Sequence, residues 1–375
     1  MNLQKIIVQR DCIGISSNMT PVHNCADYMH DILSKCQKVC VVHGRHSYYD
    51  CGAAAFMEEI QQQTHCEYHN FHSFSNNPKY EEVQIGVKDI KEYQPDIIIS
   101  IGGGSVIDMA KLIRYYAEMD KELIAIPTTS GTGSESTHFA VCYVDGEKIS
   151  IASPSIMPNT AVLMPEFTAN NNQYLTASTG FDAFAQAVEA YWNIHATEES
   201  DRYAEEALTL LIRCLAQFAA QPQPCMGDHF WREEMMLGAN LAGQAINIAK
   251  TSAPHAMSYK LTSKYGYSHG HAVALTFPYF AKLNMECDAQ HYMGLDYTHF
   301  REKMIWLMRM IGNPADDLEE YFRTFTKKLG LGYKADTKVD PDIIARAINI
   351  ERAENNPHLL TADIIAAAAK SILGN

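Results

Sequence analysis

Two loops rich in glycine and hydroxyl side chains, and a trio of histidines, carry the chemistry this sequence offers. IIISIGGGSVIDMAK, residues 97 to 111, runs from an apolar strand pattern through Gly102, Gly103, Gly104 and Ser105 into a helical pattern. Such a turn brings a backbone close to a phosphate at a helix N-terminus, because glycines remove the side chains that would block the approach. It is not the dinucleotide fingerprint G-x-G-x-x-G, since Ile107 stands at the last glycine position. A second loop, IPTTSGTGSES, residues 126 to 136, again leaves a strand pattern and offers the hydroxyls of Thr128, Thr129, Ser130 and Thr132. Two such loops on adjacent strand ends of a parallel sheet define a nucleotide crevice; the plain alternative is a pair of flexible turns. Downstream, KTSAPHAMSY and YSHGHAVAL supply His255, His269 and His271. With Asp182 they permit a metal held by one carboxylate and two imidazoles, although they form no H-x-x-x-H pattern and a lone histidine is more often a packed core or surface residue.

Asp182 belongs to TGFDAFAQAVEAYW, residues 179 to 192, whose helical period sets Phe184, Ala187, Val188 and Tyr191 on one face and Asp182, Gln186 and Glu189 on another. That polar stripe has two readings. Asp182 can sit in the first helical turn, where an acid suits the helix dipole, with Gln186 and Glu189 meeting water. Otherwise the stripe faces a ligand.

The elements that must position these residues divide the chain. The first part alternates short apolar runs with helical patterns: KVCVVHG, CGAAAFMEEIQQQ, CEYHNF, YEEVQIGVKDIKEY, DIIISIGGGS, VIDMAKLIRYYAEM and LIAIPTT. That alternation predicts an α/β domain with a parallel sheet, and isoleucine-dense runs such as DIIISI suit strands covered on both faces. From about Leu175 the patterns become long and helical, as in DRYAEEALTLLIRCLAQFAA and FWREEMMLGANLAGQAINIA. The reading is an α/β dinucleotide-binding domain over residues 1–175 and an all-α domain over 176–375, with PEFTANNNQYLTAS as the connector.

Composition sets the outer bounds. A chain of 375 residues, 47% hydrophobic and 20% charged, suits two globular domains. Its net charge of -14, with no basic cluster, disfavours nucleic acid and membrane surfaces and makes a small ligand the expected partner. In that field an anionic substrate needs a local cation, and Lys250, five residues before His255 in AINIAKTSAPHA, is one candidate, although a lysine is usually a solvated surface group. The start, MNLQKIIVQRDCIG, does not read as a secretory leader, no apolar run reaches spanning length, and ten cysteines without C-x-x-C spacing read as reduced thiols; all three point to the cytoplasm.

Taken together, GGGSVIDMAK, IPTTSGTGSE, TGFDAFAQAVEAY and the later pair of histidines resemble the iron-containing alcohol dehydrogenase family over nearly the whole chain. HFAVCYVDGEKIS, EAYWNIHATEESDRYAEEA and KTSAPHAMSYKLTSKYG are similar to its phosphonoacetaldehyde reductases, which act in phosphonate biosynthesis. The resemblance implies the dehydroquinate synthase-like fold: a nucleotide-binding α/β domain, a helical metal-binding domain and a cleft between them. It implies an oxidoreductase that reduces an aldehyde with NADPH or NADH and a divalent metal, Fe(II) or Zn(II). Asp182, His255 and His269 match metal ligands, while Gln186 stands where the family usually has a fourth, histidine ligand, and it either coordinates or hydrogen-bonds a water or the substrate. Tyr259 replaces a further active-site histidine, so Tyr259, His271 or water is expected to pass the proton. Asp108 and Lys148 are implied as cofactor contacts, with the two loops above. Many NAD-using relatives place an aspartate after the second strand; here Gly44 and Arg45 stand there, and Arg45 can pair with a 2'-phosphate, which favours NADPH.

Lys250, helped by Thr251 and Ser252, is the expected phosphonate anchor, turning phosphonoacetaldehyde into 2-hydroxyethylphosphonate. The expected partners are thus a small anionic aldehyde or alcohol and a second copy of the chain in a homodimer. Three alternatives stay open: another small aldehyde, alcohol or diol as substrate; a dehydroquinate synthase-like lyase; and a binding protein that has lost its metal.

Overall fold

The computed structural model describes residues 4–9, 19–22, 24–315 and 317–374. Much of the start segment read for a leader, residues 1–3 and 10–14, lies outside them. The chain divides into two compact units, Met1–Asn171 and Asn172–Asn375.

The first unit holds β1 (Lys5–Gln9), β2 (Met19–Val22), α1 (Cys25–Leu33), β3 (Lys38–His43), α2 (Ser47–Asp50), α3 (Ala53–Thr64), β4 (Glu67–Phe71), α4 (Tyr80–Tyr93), β5 (Ile97–Gly102), α5 (Gly104–Tyr116), β6 (Glu122–Pro127), β7 (Phe139–Val144), β8 (Glu147–Ala152) and β9 (Thr160–Leu163). Seven strands form one sheet in the order β2-β1-β9-β6-β5-β3-β4, every pair parallel. Alternate residues of a strand point to opposite faces, and both faces are covered. Val39, Val41, Ile97, Ile99 and Ile101 pack with Met29, Leu33, Met57 and Ile60 of α1 and α3. Cys40, Val42 and Ile98 pack with Val83, Val87, Ile90, Leu112 and Ile113 of α4 and α5. Each isoleucine so buried contributes about 1.5–3 kcal/mol.

The segment HFAVCYVDGEKIS makes the antiparallel hairpin β7–β8, which the expected series of parallel strands does not contain. Asp145 and Gly146 at its tip both have positive φ, 51° and 81°, the backbone that the Asp-Gly pair favours in a two-residue turn.

The second unit is helical: α6 (Gln173–Trp192), α7 (Glu198–Ala220), α8 (Pro222–Gly227), α9 (His229–Ala249), α10 (Ala253–Ser263), α11 (His269–Met285), α12 (Tyr297–Met310), α13 (Leu318–Lys328), α14 (Pro341–Arg346), α15 (Ile350–Ala353) and α16 (Ala362–Ser371). The residues QYLTAS, expected in the connector, are the first turns of α6, because the Asn172 side chain accepts from Leu175 N–H and starts the helix there. The apolar face of α6 meets α11 through rings: Phe181 lies edge-on to Phe277 at 5.5 Å, and Trp192 stacks on Phe277 at 5.8 Å. Among the described residues no helix is long and apolar enough to cross a membrane. The nine described cysteines are free.

Candidate metal centre and nucleotide loops

With α6 starting at Gln173, Asp182 stands deep inside the helix rather than in its first turn, so the helix-dipole reading does not apply. Nor do its stripe-mates meet water: Asp182, Gln186 and Glu189 are 2%, 3% and 0% exposed. Polar groups buried this way are costly unless partnered. The partners come from the starts of α10 and α11. His255, the third residue of α10, turns Nδ1 to Glu189 Oε1 and Nε2 to Asp182 Oδ1, 3.1 Å away. His269, the first residue of α11, brings Nε2 to 3.8 Å from the same Asp182 oxygen. One ligand atom from each of Asp182, His255 and His269 lies within 4.8 Å of the other two.

Local sequence explains the convergence. Asp182 and Glu189, seven residues apart, share a face of α6 two turns apart. Glu189 Oε2 accepts from both the N–H and the hydroxyl of Ser252, at 2.7 and 3.1 Å, while Trp192 Nε1 donates to that hydroxyl at 2.9 Å. The carboxylate of Glu189 therefore holds the turn into α10 and the imidazole that α10 carries. At α11, a Cβ on Gly270 would overlap the Ser178 carbonyl oxygen and come within 3.0 Å of Asp182 Cβ, so a glycine lets this end of α11 touch α6 beside the aspartate. The hydroxyls of Ser178 and Ser268, 2.8 Å apart, and of Tyr174 and Ser268, 3.0 Å apart, tie the same two helices.

The donor set fits a divalent cation. A carboxylate only accepts, so Glu189 requires the proton on Nδ1 of His255 and turns the Nε2 lone pair towards another carboxylate, Asp182. Two lone pairs facing at 3.1 Å call for positive charge between them. Burial pulls the imidazole's basicity down, but Glu189 and Asp182 outweigh it and raise its pKa to about 9; a divalent cation would feel the same field. A histidine backed by a carboxylate is the usual outer support of a metal ligand.

Gln186 lies one turn after Asp182, buried on the same face. An amide oxygen is a poorer donor than imidazole for late transition metals, so Gln186→His is expected to tighten Zn(II) or Co(II) binding roughly tenfold. Competition with a chromophoric chelator measures it; unchanged affinity would place residue 186 away from the ion.

Three expectations about neighbouring residues change. His271 is fully buried, its Nε2 donates to the Gly332 carbonyl at 3.0 Å and its Nδ1 accepts from the Tyr174 hydroxyl at 3.0 Å. Burial holds its pKa down to about 4, so it is a neutral ring pinning Gly332 and Tyr174, not a proton donor. Ser252 is fully buried, its hydroxyl donating to Glu189 and accepting from Trp192, which makes it a support of the centre and not a substrate contact. Lys250 ends α9 with φ 68° and an exposed side chain, and its carbonyl accepts from Asn193 Nδ2 at 3.3 Å; its ordered role is a backbone one. Tyr259 stands one turn after His255, half-buried; burial raises its phenol pKa, against a hydrogen bond from Arg352. Thr251 is buried and also meets Arg352, whose Nη1 is 3.4 Å from its hydroxyl.

In the first unit, the two glycine and threonine loops leave the neighbouring strands β5 and β6. Thr128 N–H donates to the Gly102 carbonyl at 3.0 Å, and a Cβ on Gly104 would stand 2.7 Å from Thr132 Oγ1, so the loops pack on each other. The N-cap of α5 is Gly103, which has no side chain to cap the first turn, and the N–H groups of that turn suit a phosphate. Thr129 lies against Gly103.

Asp108, implied as a cofactor contact, accepts from the Ser134 hydroxyl and from Val141 N–H at 2.9 Å, so within the chain its carboxylate clamps the second loop to β7. Lys111, which the sequence reading passed over, is fully buried and donates to Ser134 Oγ, Thr137 Oγ1 and the Phe139 carbonyl at 3.2, 3.2 and 2.9 Å. Its signal was present in DMAK, an acid and a base three apart inside an apolar helix. Lys148, opposite Tyr143 in the hairpin, adds its charge to the field at Asp108. At the end of β3, next to β5, Gly44 allows a tight turn, where a Cβ would stand 2.5 Å from Ser47 Oγ. Arg45 is exposed there, its Nε 3.4 Å from the His72 carbonyl.

Residues 21–165 match the family model described as iron-containing alcohol dehydrogenase, and residues 176–371 match that of the Fe-containing alcohol dehydrogenase family, C-terminal. The chain belongs to the iron-containing alcohol dehydrogenase family, a family of oxidoreductases. The phosphonoacetaldehyde reductase of Streptomyces viridochromogenes is 30% identical over 73% of this chain and 75% of its own length. Aldehyde-alcohol dehydrogenase 2 of Entamoeba histolytica is 31% identical over 65% of this chain, which spans only 32% of that longer protein. Among solved structures, a sulfoacetaldehyde reductase from Bifidobacterium kashiwanohense in complex with NAD+ is 25% identical, with a TM-score of 0.80 over 98% of this chain and 96% of that one.

Proposed function

We propose that this chain reduces a small anionic aldehyde to its alcohol, phosphonoacetaldehyde to 2-hydroxyethylphosphonate being the leading reaction, with NADPH and a divalent metal, Fe(II) or Zn(II). The observation that carries the reading is the meeting of Asp182, His255 and His269, three donors from three helices with their ligand atoms within 4.8 Å. The names of two relatives, reductases of phosphonoacetaldehyde and sulfoacetaldehyde, support the substrate class.

A cation held by these residues, with Gln186 beside it, supplies Lewis-acid polarisation of a carbonyl, and the nicotinamide supplies the hydride. The chain's own groups do the rest. Gly102, Gly103, Gly104 and Ser105 bind the pyrophosphate through backbone N–H groups, with Thr128, Thr129 and Thr132 adding hydroxyls and Lys148 a charge. Glu189 keeps the proton on His255 Nδ1 and so orients Nε2. The raised pKa of Tyr259 keeps its hydroxyl protonated at neutral pH, and that proton goes to the alcohol oxygen. The balance is aldehyde, NADPH and a proton to alcohol and NADP+.

The reading keeps the enzyme in the cytoplasm, as a homodimer. The deciding experiment is NADPH oxidation by metal-loaded protein over a panel of aldehydes. Turnover of phosphonoacetaldehyde is expected; no NADPH consumption with any aldehyde would sink the proposal in favour of a lyase or a silent binding protein.

Arg45 is the proposed partner of the NADPH 2'-phosphate. Arg45→Ala is expected to raise the KM for NADPH at least about tenfold and to leave that for NADH nearly unchanged, since a charge-assisted hydrogen bond contributes roughly 1.5–3 kcal/mol. Steady-state kinetics with both cofactors checks it, and equal effects on the two would clear Arg45 of that role.

A further inference from the structure

We propose that Arg352, with the hydroxyl of Thr251, receives the anionic end of the substrate, and that the ligand class is a short aldehyde bearing a phosphonate or sulfonate. This rests on the aldehyde-reductase reading and replaces Lys250 as the cation that reading needs.

Against a chain charge of -14, an anion binds only where a cation is fixed in place. Arg352 is fixed by its backbone. Its N–H donates to the side chain of Asn349, which caps α15, at 2.9 Å. Asn349 N–H in turn donates to the carbonyl of Ala256, the residue after His255, at 3.2 Å. Three residues beyond Arg352, Asn355 Nδ2 donates to the Thr251 carbonyl at 2.9 Å. These bonds lay α15 along the stretch from Thr251 to Ala256 that leads into the metal centre.

The side chain then reaches two hydroxyls on that stretch and the turn after it. Arg352 Nη1 is 3.4 Å from Thr251 Oγ1, and the guanidinium also hydrogen-bonds the hydroxyl of Tyr259, one helical turn beyond His255. A guanidinium is a planar fork of five N–H donors that matches two oxygens of a tetrahedral oxyanion at once, and the Thr251 hydroxyl beside it can turn to donate to the third. Residue 259 thus stands between the ligand-bearing turn and the cation, where a short substrate with a carbonyl at one end and an oxyanion at the other would be held at both. Arg352 makes and breaks no covalent bond; it selects.

The test uses the metal-loaded full chain and compares kcat/KM for phosphonoacetaldehyde, sulfoacetaldehyde and propanal in wild type, Arg352→Lys and Arg352→Gln. In R352Q the ratio of kcat/KM for each charged aldehyde to that for propanal is expected to fall by roughly thirtyfold, carried by KM, with a smaller fall in R352K, which keeps the charge without the fork. Phosphonoacetate, a non-reducible probe, is expected to bind wild type and not R352Q by calorimetry at equal metal content. Selective loss with the phosphonate assigns the site to phosphonates, and selective loss with the sulfonate to sulfonates. An unchanged ratio, with every aldehyde losing equally or none losing, overturns the assignment while leaving aldehyde reduction standing. If wild type reduces none of the three, aldehyde reduction itself falls, and this proposal with it.

Discussion

Asp182→Ala is expected to strip the protein of its divalent ion and to lower aldehyde reduction about a thousandfold. Asp182 Oδ1 is the oxygen both imidazoles face, 3.1 Å from His255 Nε2 and 3.8 Å from His269 Nε2. Without it the donor set is two neutral rings and the amide of Gln186, with no anion directly at the ion. Removing outer partners of metal ligands already costs about 10–100-fold in affinity, and a ligand that is also the charge must exceed the upper figure. Lewis-acid polarisation is worth several kcal/mol in the transition state, which sets the kinetic loss at about three orders of magnitude. The fold itself should survive, since Glu189 still holds His255 and Ser252 in place. Elemental analysis after dialysis, thermal unfolding and NADPH oxidation together check the outcome. A variant with full metal and full rate would move the centre off these residues.

Gly270→Ala pits two effects of opposite sign against each other. Alanine is favoured over glycine in a helix by about 1 kcal/mol, so propensity alone predicts a more stable protein. Geometry predicts the reverse, because the new Cβ would overlap the Ser178 carbonyl oxygen and come within 2.7 Å of its carbon. That carbonyl belongs to the backbone of α6 and cannot rotate away as a side chain would. Overpacking of this kind costs roughly 1–3 kcal/mol and is relieved by backing α11 away from α6, which draws His269 off Asp182. The expected result is a melting temperature lower by a few degrees and metal affinity down at least about tenfold. Unchanged melting and metal binding would show that the two helices have room the structure does not show.

The parallel strands were readable because burial on both faces writes itself as runs dense in isoleucine and valine, as in β3 and β5. The hairpin was readable too, through Asp145 and Gly146, but the alternating pattern around them was passed over. The helix bearing Asp182 was harder. Its first turns, QYLTAS, are polar, and only the capping bond from Asn172 marks where it begins. Its polar stripe reads as a wet face, because periodicity reports which side differs and not what lies against it. Asp182 and His255 are 73 positions apart, so no local spacing joins them, and the resemblance to a family named them where the residues alone left the ligand set open. Glu189, Lys111 and Arg352 went unassigned for a related reason: each is a charged side chain whose partners arrive from distant parts of the chain.

Glu189 anchors the ring of His255 and the loop before it with contacts made entirely within the polypeptide. The pocket proposed for the ion is thus held by the protein's own bonds, and emptying it is expected to leave the helices around it folded. The element such a centre carries is then expected to reflect what the growth medium and the cell's import machinery provide as much as any preference of the protein.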